Sequence, residues 1–167
     1  IHSNARVLVE PGEGVAVESF NYPAALQAFR FAGARLVEVP TDAQGMDVDK
    51  LEALLQAQSP RVLYVVPNFA NPTGAVMPLA RRLRLLELAA QYGVTLLEDD
   101  PYGELQYEGE HVPSLKSLDS SGTVIYLKTF SKILAPGFRL GWMVASPEAM
   151  EALLHGKQPS EIGRASC

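Results

Sequence analysis

A chain of 167 residues that is 47% apolar, 20% charged and 8% aromatic has the make-up of one globular domain or a large piece of one, which excludes a disordered, collagenous or disulfide-scaffold protein. Fourteen Lys and Arg against nineteen Asp and Glu leave a net charge of −5. The positive charges are scattered rather than gathered in a stripe, which argues against a nucleic-acid partner.

Val15–Glu18 reads as a strand behind the Pro-Gly-Glu-Gly turn, and Pro23 then opens a helical pattern from Ala24 to Ala32 that Gly33 stops. Arg35–Val39 reads as the next strand, with Asp47 as the cap of a helix through Gln56. Val62–Val66 is a continuously apolar strand of the doubly buried kind. Pro78 leads a helix through Tyr92 with Leu79, Leu83, Leu86 and Ala90 on one face, ended by Gly93. Thr95–Glu98, Thr123–Leu127 and Leu140–Ala145 complete the strands, and Pro147 opens a last helix toward His155. Trp142 and Met143 fall in a strand pattern and are expected in the core. Strands alternating with helices predict an α/β fold: a mostly parallel sheet with helices on both faces.

The ends differ from the middle. The chain opens at Ile1 without Met, and Val7-Leu8-Val9 runs straight into Glu10-Pro11-Gly12 as though a helix had been cut into, so a fragment is expected. Residues Glu161 to Cys167 match a translated sequencing adapter, GAG ATC GGA AGA GCG TCG TGT, and are expected to be non-native, a frayed natural tail being the alternative. Residues 1–160 then form one partial domain. The single cysteine, Cys167, can build neither an internal bridge nor a Cys-based zinc site, so a reducing, cytoplasmic setting is expected. No apolar run approaches the ~20 residues of a membrane span, and no membrane partner is expected.

In a parallel sheet, ligands collect beyond the carboxyl ends of the strands, so loops that follow strands are where chemistry is sought. Three carry it. Pro67-Asn68-Phe69-Ala70-Asn71-Pro72-Thr73-Gly74 has a backbone stiffened by two prolines, able to hold the Asn71 amide at a fixed point and to accommodate a cis bond at Asn71-Pro72. Alone, Asn-Pro-Thr-Gly reads rather as an ordinary Asx-Pro turn. Glu98-Asp99-Asp100-Pro101-Tyr102-Gly103 places acids directly after a buried strand, where burial is costly without a cationic partner or donor. Alone, it is equally a helix start capped by Asp99 or Asp100. Lys128-Thr129-Phe130-Ser131-Lys132, followed by Arg139, combines two hydroxyls, a lysine among apolar neighbours and an arginine, which suits an anion beside a desolvated amine. Taken singly, Lys132 is a surface charge and Ser131 a turn hydroxyl. His2, His111 and His155 share no ligand spacing, and no metal site is expected.

Together, in this order and each after a strand, Asn-Pro-Thr-Gly, Asp-x-x-Tyr and Thr-x-Ser-Lys with its later Arg resemble the pyridoxal-phosphate aminotransferases of fold type I (class I/II). The context looks most like the branch of 2-aminoadipate and kynurenine/aminoadipate aminotransferases. The resemblance covers nearly the whole chain before the tail, and it implies an incomplete large, cofactor-binding domain of the aspartate-aminotransferase-like fold, lacking an upstream segment and a downstream small domain. It further implies that Lys132 tethers pyridoxal 5'-phosphate and later moves the substrate proton. Asp99 would face the pyridine nitrogen, while Asn71 and Tyr102 bond the phenolic oxygen. Thr129, Ser131 and Arg139 would hold the phosphate, and Tyr22 would stack on the ring. Lys132, Asp99 and Tyr102 form the catalytic set. Many relatives carry Ser where this chain has Thr129, a change that keeps the hydroxyl.

The implied activity is transfer of an amino group from an amino acid to a 2-oxo acid by a homodimer, the fragment itself being inactive. Two alternatives stay open. One is the aminotransferase-like sensor domain of a winged-helix transcription regulator, disfavoured by Asp99-Asp100-Pro101-Tyr102 where such regulators carry Asp-Asp-Tyr-Asp. The other is another fold type I activity such as a β-lyase or decarboxylase.

Overall fold

The computed structural model describes residues 2–138 and 140–161. The chain order is α1 (His2–Leu8), β1 (Gly14–Glu18), α2 (Pro23–Phe31), β2 (Arg35–Val39), β3 (Thr41–Asp42), β4 (Gly45–Met46), α3 (Val48–Gln58), β5 (Val62–Val65), α4 (Leu79–Tyr92), β6 (Thr95–Asp99), α5 (Leu115–Leu118), β7 (Val124–Thr129), β8 (Gly141–Val144) and α6 (Pro147–Glu161). Six strands form one sheet in the order β2-β1-β5-β6-β7-β8. The first five run parallel, and β8 pairs antiparallel to β7.

Successive residues of a strand point to opposite faces, so a sheet covered on both sides needs strands that are apolar throughout. Val15, Val17, Val62, Tyr64, Leu97 and Ile125 pack on one face beneath α1, α2 and α6, through Ala5, Phe29 and Leu153. Ala16, Leu63, Val65, Leu96 and Val124 pack on the other beneath α3, α4 and α5, through Leu51, Leu85 and Leu115. The predicted α/β fold, with helices on both faces, is what forms.

Boundaries shift for local reasons. The strand predicted through Val66 ends at Val65, because the Val66 N–H is taken by the Glu18 carboxylate at 3.2 Å instead of the ladder. The helix from Val48 is capped by the Asp47 side chain, which accepts from the Asp49 and Lys50 N–H groups, and it runs to Gln58 rather than Gln56. Gly93 closes α4 at φ 63°, a left-handed position that costs glycine little. The two-residue strands β3 and β4 are too short to leave a periodic signal. They are pinned to α4 by Arg81, which forks onto Asp42 at 2.7 and 2.9 Å.

Two expectations about the core are corrected. The buried face of α4 carries Arg82, Leu85, Leu88 and Ala89, whereas Leu79 and Leu83 are exposed. The phase was hidden by an arginine standing where the apolar stripe reads as broken. Trp142 is 38% exposed and meets the Phe130 ring at a tilt, with centroids 4.7 Å apart, since β8 lies at the sheet edge; its neighbour Met143 does pack on the core.

Candidate active site

The strand order places a switch point between β1 and β5. From β1 the chain crosses through α2 to β2 on one side, and from β5 it crosses through α4 to β6 on the other. Connections that diverge in this way leave a crevice at the carboxyl ends of the strands. Tyr22 follows β1, Asn71 follows β5, Asp99 ends β6, Thr129 ends β7, and Ser131 and Lys132 follow it. The fold thus brings these predicted residues to one edge of the sheet. Arg139 and the tail from Ile162 to Cys167 lie outside the described residues.

Alternation along β6 sends its two terminal acids to opposite faces. Glu98 is fully buried and accepts from the Leu115 and Lys116 N–H groups at 2.9 and 2.8 Å, tying down the start of α5. Burial raises its pKa to about 7 despite those two donors. Asp99, on the other face, accepts the Tyr64 hydroxyl on Oδ2 at 2.7 Å. Its pKa is raised by burial and pulled back down by that hydrogen bond.

Asp100 is the structural acid. Its Oδ1 accepts from Asn68 Nδ2 and from the Gly103 N–H, both at 3.0 Å, and its Oδ2 from the Tyr126 hydroxyl at 2.9 Å. The alternative of a helix opening at Pro101 under an Asp99 or Asp100 cap does not form: the short 3-10 turn Gly103–Leu105 has Tyr102 at its cap position, and Asp100 Oδ1 steadies it only through the Gly103 N–H. The cation demanded by the acidic run is Lys128, 3.6 Å from Asp100 and 2.6 Å from Glu104. Burial pulls the Lys128 pKa down, but the Glu104 hydrogen bond and the Asp100 charge more than offset it.

The loop after β5 is built on Arg82. Its fully buried guanidinium donates to the carbonyls of Met77, Pro67 and Pro113 and, at 2.6 Å, to Asn68 Oδ1. Arginine's five fixed donors suit such a cage of oxygens. The Asn71–Pro72 bond in this loop is cis, as its tertiary amide allowed. Asn71 and Tyr102 are half-buried, and an apolar groove of Phe69, Leu105 and Tyr107 opens beside Tyr102.

Thr129 Oγ1 accepts from the Ser131 N–H at 3.1 Å and lies 2.9 Å from Ser131 Oγ, so the two hydroxyls form one polar corner. Lys132 stands exposed. The desolvated setting expected for it is not supplied by the described residues, because its apolar neighbour Leu134 is itself 68% exposed and turns away from the core. Tyr22 is 48% exposed at the cap of α2. Beside it, the Asn21 amide Nδ2 is buried without a hydrogen-bond partner among the described residues.

Sequence reading missed Tyr64, Asn68, Arg82 and Lys128. A tyrosine inside an aliphatic strand and an arginine at the buried phase of a helix were the available signals.

The carboxyl edge of a doubly wound sheet thus gathers an acid, an amide, a hydroxyl pair and a lysine, the arrangement of an α/β ligand-binding domain. The chain belongs to the aminotransferase class I and II family, whose family model matches residues 2–164. It is 48% identical over 162 residues to the aromatic-amino-acid aminotransferase 1 of Thermococcus litoralis, covering 94% of this chain and 39% of that protein. Crystal structures of Pyrococcus horikoshii kynurenine aminotransferase (TM-score 0.89, 46% identity, 95% of this chain and 41% of that one) are similar. So is LysN, an α-aminoadipate aminotransferase from Thermus thermophilus complexed with N-(5'-phosphopyridoxyl)-L-leucine (TM-score 0.91, 40% identity, 96% and 42%). A helix-turn-helix regulator of Escherichia coli, YjiR, is also 40% identical over 149 residues, covering 89% of this chain and 32% of that protein. The chain thus spans about two fifths of the length of the relatives it matches.

Proposed function

We propose that the full-length protein carrying this segment is a pyridoxal-phosphate-dependent aminotransferase that moves an amino group from an amino acid to a 2-oxo acid, residues 1–160 being part of its large domain. The observation that carries this reading is that Asp99 ends β6 while Thr129, Ser131 and Lys132 lie at the same, carboxyl end of the adjacent, parallel β7. The similarity to solved kynurenine and aminoadipate aminotransferases supports it.

The residues suit this cofactor. A carboxylate complements a protonated ring nitrogen, a hydroxyl corner complements phosphate, and the unpartnered Asn21 amide beside Tyr22 is a donor awaiting an acceptor. When bound, the cofactor supplies an electron-accepting ring and an aldehyde that amines can occupy. In this reading Asp99 holds negative charge against the ring nitrogen, and Asn71 and Tyr102 donate to the phenolic oxygen. Thr129, Ser131 and Arg139 bind the phosphate, and Tyr22 covers the ring face. Lys132 Nζ would hold the cofactor through its aldehyde carbon and, as a free amine, would be the base that takes the proton from the substrate α-carbon and the acid that gives it back. A homodimer in the cytoplasm, taking amino acid and 2-oxo acid substrates without nucleic acid or membrane, belongs to the same proposal. Among the described residues no helix is long and apolar enough to cross a membrane.

The similarity to YjiR favours a second reading, an aminotransferase-like domain within a DNA-binding regulator. The test uses the full-length protein with pyridoxal phosphate and borohydride, followed by peptide mapping and by transamination assays with 2-oxoglutarate. Label on Lys132 together with turnover is expected. Label on another lysine overturns the site assignment, and label on Lys132 without turnover but with specific DNA binding selects the regulator.

A further inference from the structure

Tyr64 sits at the centre of β5, in register with Val17 of β1 and Leu97 of β6, and its side chain is fully buried. Phe29 of α2 meets its ring edge-on, with centroids 5.5 Å apart. Every other residue of β5 is aliphatic. A phenol here brings a hydroxyl into the core at a desolvation cost that leucine or phenylalanine would avoid. Among the described residues that hydroxyl has one hydrogen bond, to Asp99 Oδ2 at 2.7 Å. Among the described residues, no other side chain or backbone group donates to the Asp99 carboxylate. The ring cannot swing away, because β1, β6 and α2 enclose it, so the donor is fixed and the acceptor must come to it.

We propose that Tyr64 is a positioning residue for Asp99, clamping Oδ2 so that the carboxylate keeps one orientation and stays charged with Oδ1 directed at a cationic ring nitrogen. The inference rests on the aminotransferase reading above. It is distinct from the roles given to the residues of the crevice, since Tyr64 lies below it in the core and reaches the cofactor only through Asp99.

The electrostatics agree in sign. Burial raises the Asp99 pKa, and the Tyr64 donor is the largest influence lowering it. The other ionisable groups around the pair are Asp100, which raises Asp99, and Glu18 and Tyr102, which act on the phenol. None of these donates to Asp99, so removing the Tyr64 hydroxyl takes away the largest influence that opposes burial.

The experiment measures pyridoxal phosphate affinity of the full-length protein between pH 5 and 9. Tyr64→Phe, which keeps the ring and deletes one oxygen, is expected to weaken affinity about tenfold at neutral pH and to move the acidic limb of the profile up by about one pH unit. In an Asp99→Asn background the same substitution is expected to change affinity less than about twofold, since the coupling partner is gone. A single 3-fluorotyrosine at position 64 preserves the packing and donates more strongly. It is expected to move the limb to lower pH, and it tests the idea even if Tyr64→Phe does not fold. An unmoved limb in every Tyr64 variant that folds, or an equal loss with and without Asp99, overturns the clamp while labelling of Lys132 still stands. Wild-type protein that never acquires cofactor on Lys132 overturns the parent reading and the clamp together.

Discussion

Asn68 and Asp100 join the loops above β5 and β6 by one hydrogen bond, from Asn68 Nδ2 to Asp100 Oδ1 at 3.0 Å. The amide has no freedom to flip, because its oxygen accepts from Arg82 at 2.6 Å and only its nitrogen can serve Asp100. A buried arginine is thereby linked to a buried aspartate through a neutral amide, and the loops carrying Asn71 and Tyr102 are held at a set separation.

Cutting this link is costly. Asn68→Ala leaves Arg82 one acceptor short and Asp100 one donor short in a buried setting, and a loss of about 3 kcal/mol in unfolding free energy is expected. Arg82→Lys is expected to cost at least as much, since one ammonium cannot reach oxygens that a guanidinium fork serves together. Urea denaturation of the full-length protein measures both; unchanged midpoints would show that the loops are held by something else.

Two buried glutamates set a pH dependence. Burial raises Glu18 and Glu98 from 4.5 to about 7, against the hydrogen bond from Val66 in one case and those from Lys116 and Leu115 in the other. Between these limits the unfolded chain has released protons that the folded chain still holds, so stability is fully present below about 4.5 and is lost as pH rises through about 7. Each group contributes on the order of 3 kcal/mol to that loss. Unfolding free energy is therefore expected to fall from pH 5 to pH 8, and Glu98→Gln should remove about half of the slope. A slope that Glu98→Gln leaves untouched assigns the effect elsewhere.

Alternating strands and helices were legible because both sheet faces are covered, which makes Val62–Val65 and Val15–Val17 continuously apolar. The site loops were legible for a related reason: polar and constrained residues such as Asn71 and Asp99 interrupt an apolar pattern just where strands end. What stayed hidden depends on partners distant in sequence. Arg82 looks like a surface residue until loop carbonyls from Pro67 and Pro113 surround it. Tyr64 looks like core until its hydroxyl is seen against Asp99. Helix phase failed at α4 for the same reason, since a charged residue at the buried position inverts the hydrophobicity rule on which phase is read.

Gly103 is where the Asp100 turn admits no side chain. A Cβ there would stand 2.6 Å from both carboxylate oxygens of Asp100, one of which, Oδ1, also accepts the Gly103 N–H. Gly103→Ala must push the carboxylate off Asn68 and Tyr126, and a destabilisation of about 2 kcal/mol is expected. Tyr102 lies one residue away, so weaker cofactor retention should accompany it. An alanine variant with wild-type denaturation and cofactor affinity would mean that the turn relaxes without disturbing its contacts.

Thr129 separates hydroxyl chemistry from side-chain shape. Its Oγ1 meets the Ser131 N–H at 3.1 Å and stands 3.2 Å from the Leu140 carbonyl, so the oxygen organises the corner proposed to hold phosphate. Thr129→Ser keeps that oxygen and deletes only a methyl group at a half-buried position, and pyridoxal phosphate affinity is expected to stay within about twofold of wild type. Thr129→Val keeps the shape and deletes the oxygen. It removes one direct donor and releases Ser131 from its anchor, and a loss of about tenfold in affinity is expected, larger for the cofactor than for its dephosphorylated form. Equilibrium titration with pyridoxal phosphate and with pyridoxal measures that difference. Equal losses for the two ligands would place the effect of Thr129 on the fold of the corner, whereas a loss confined to the phosphorylated ligand assigns the hydroxyl to phosphate.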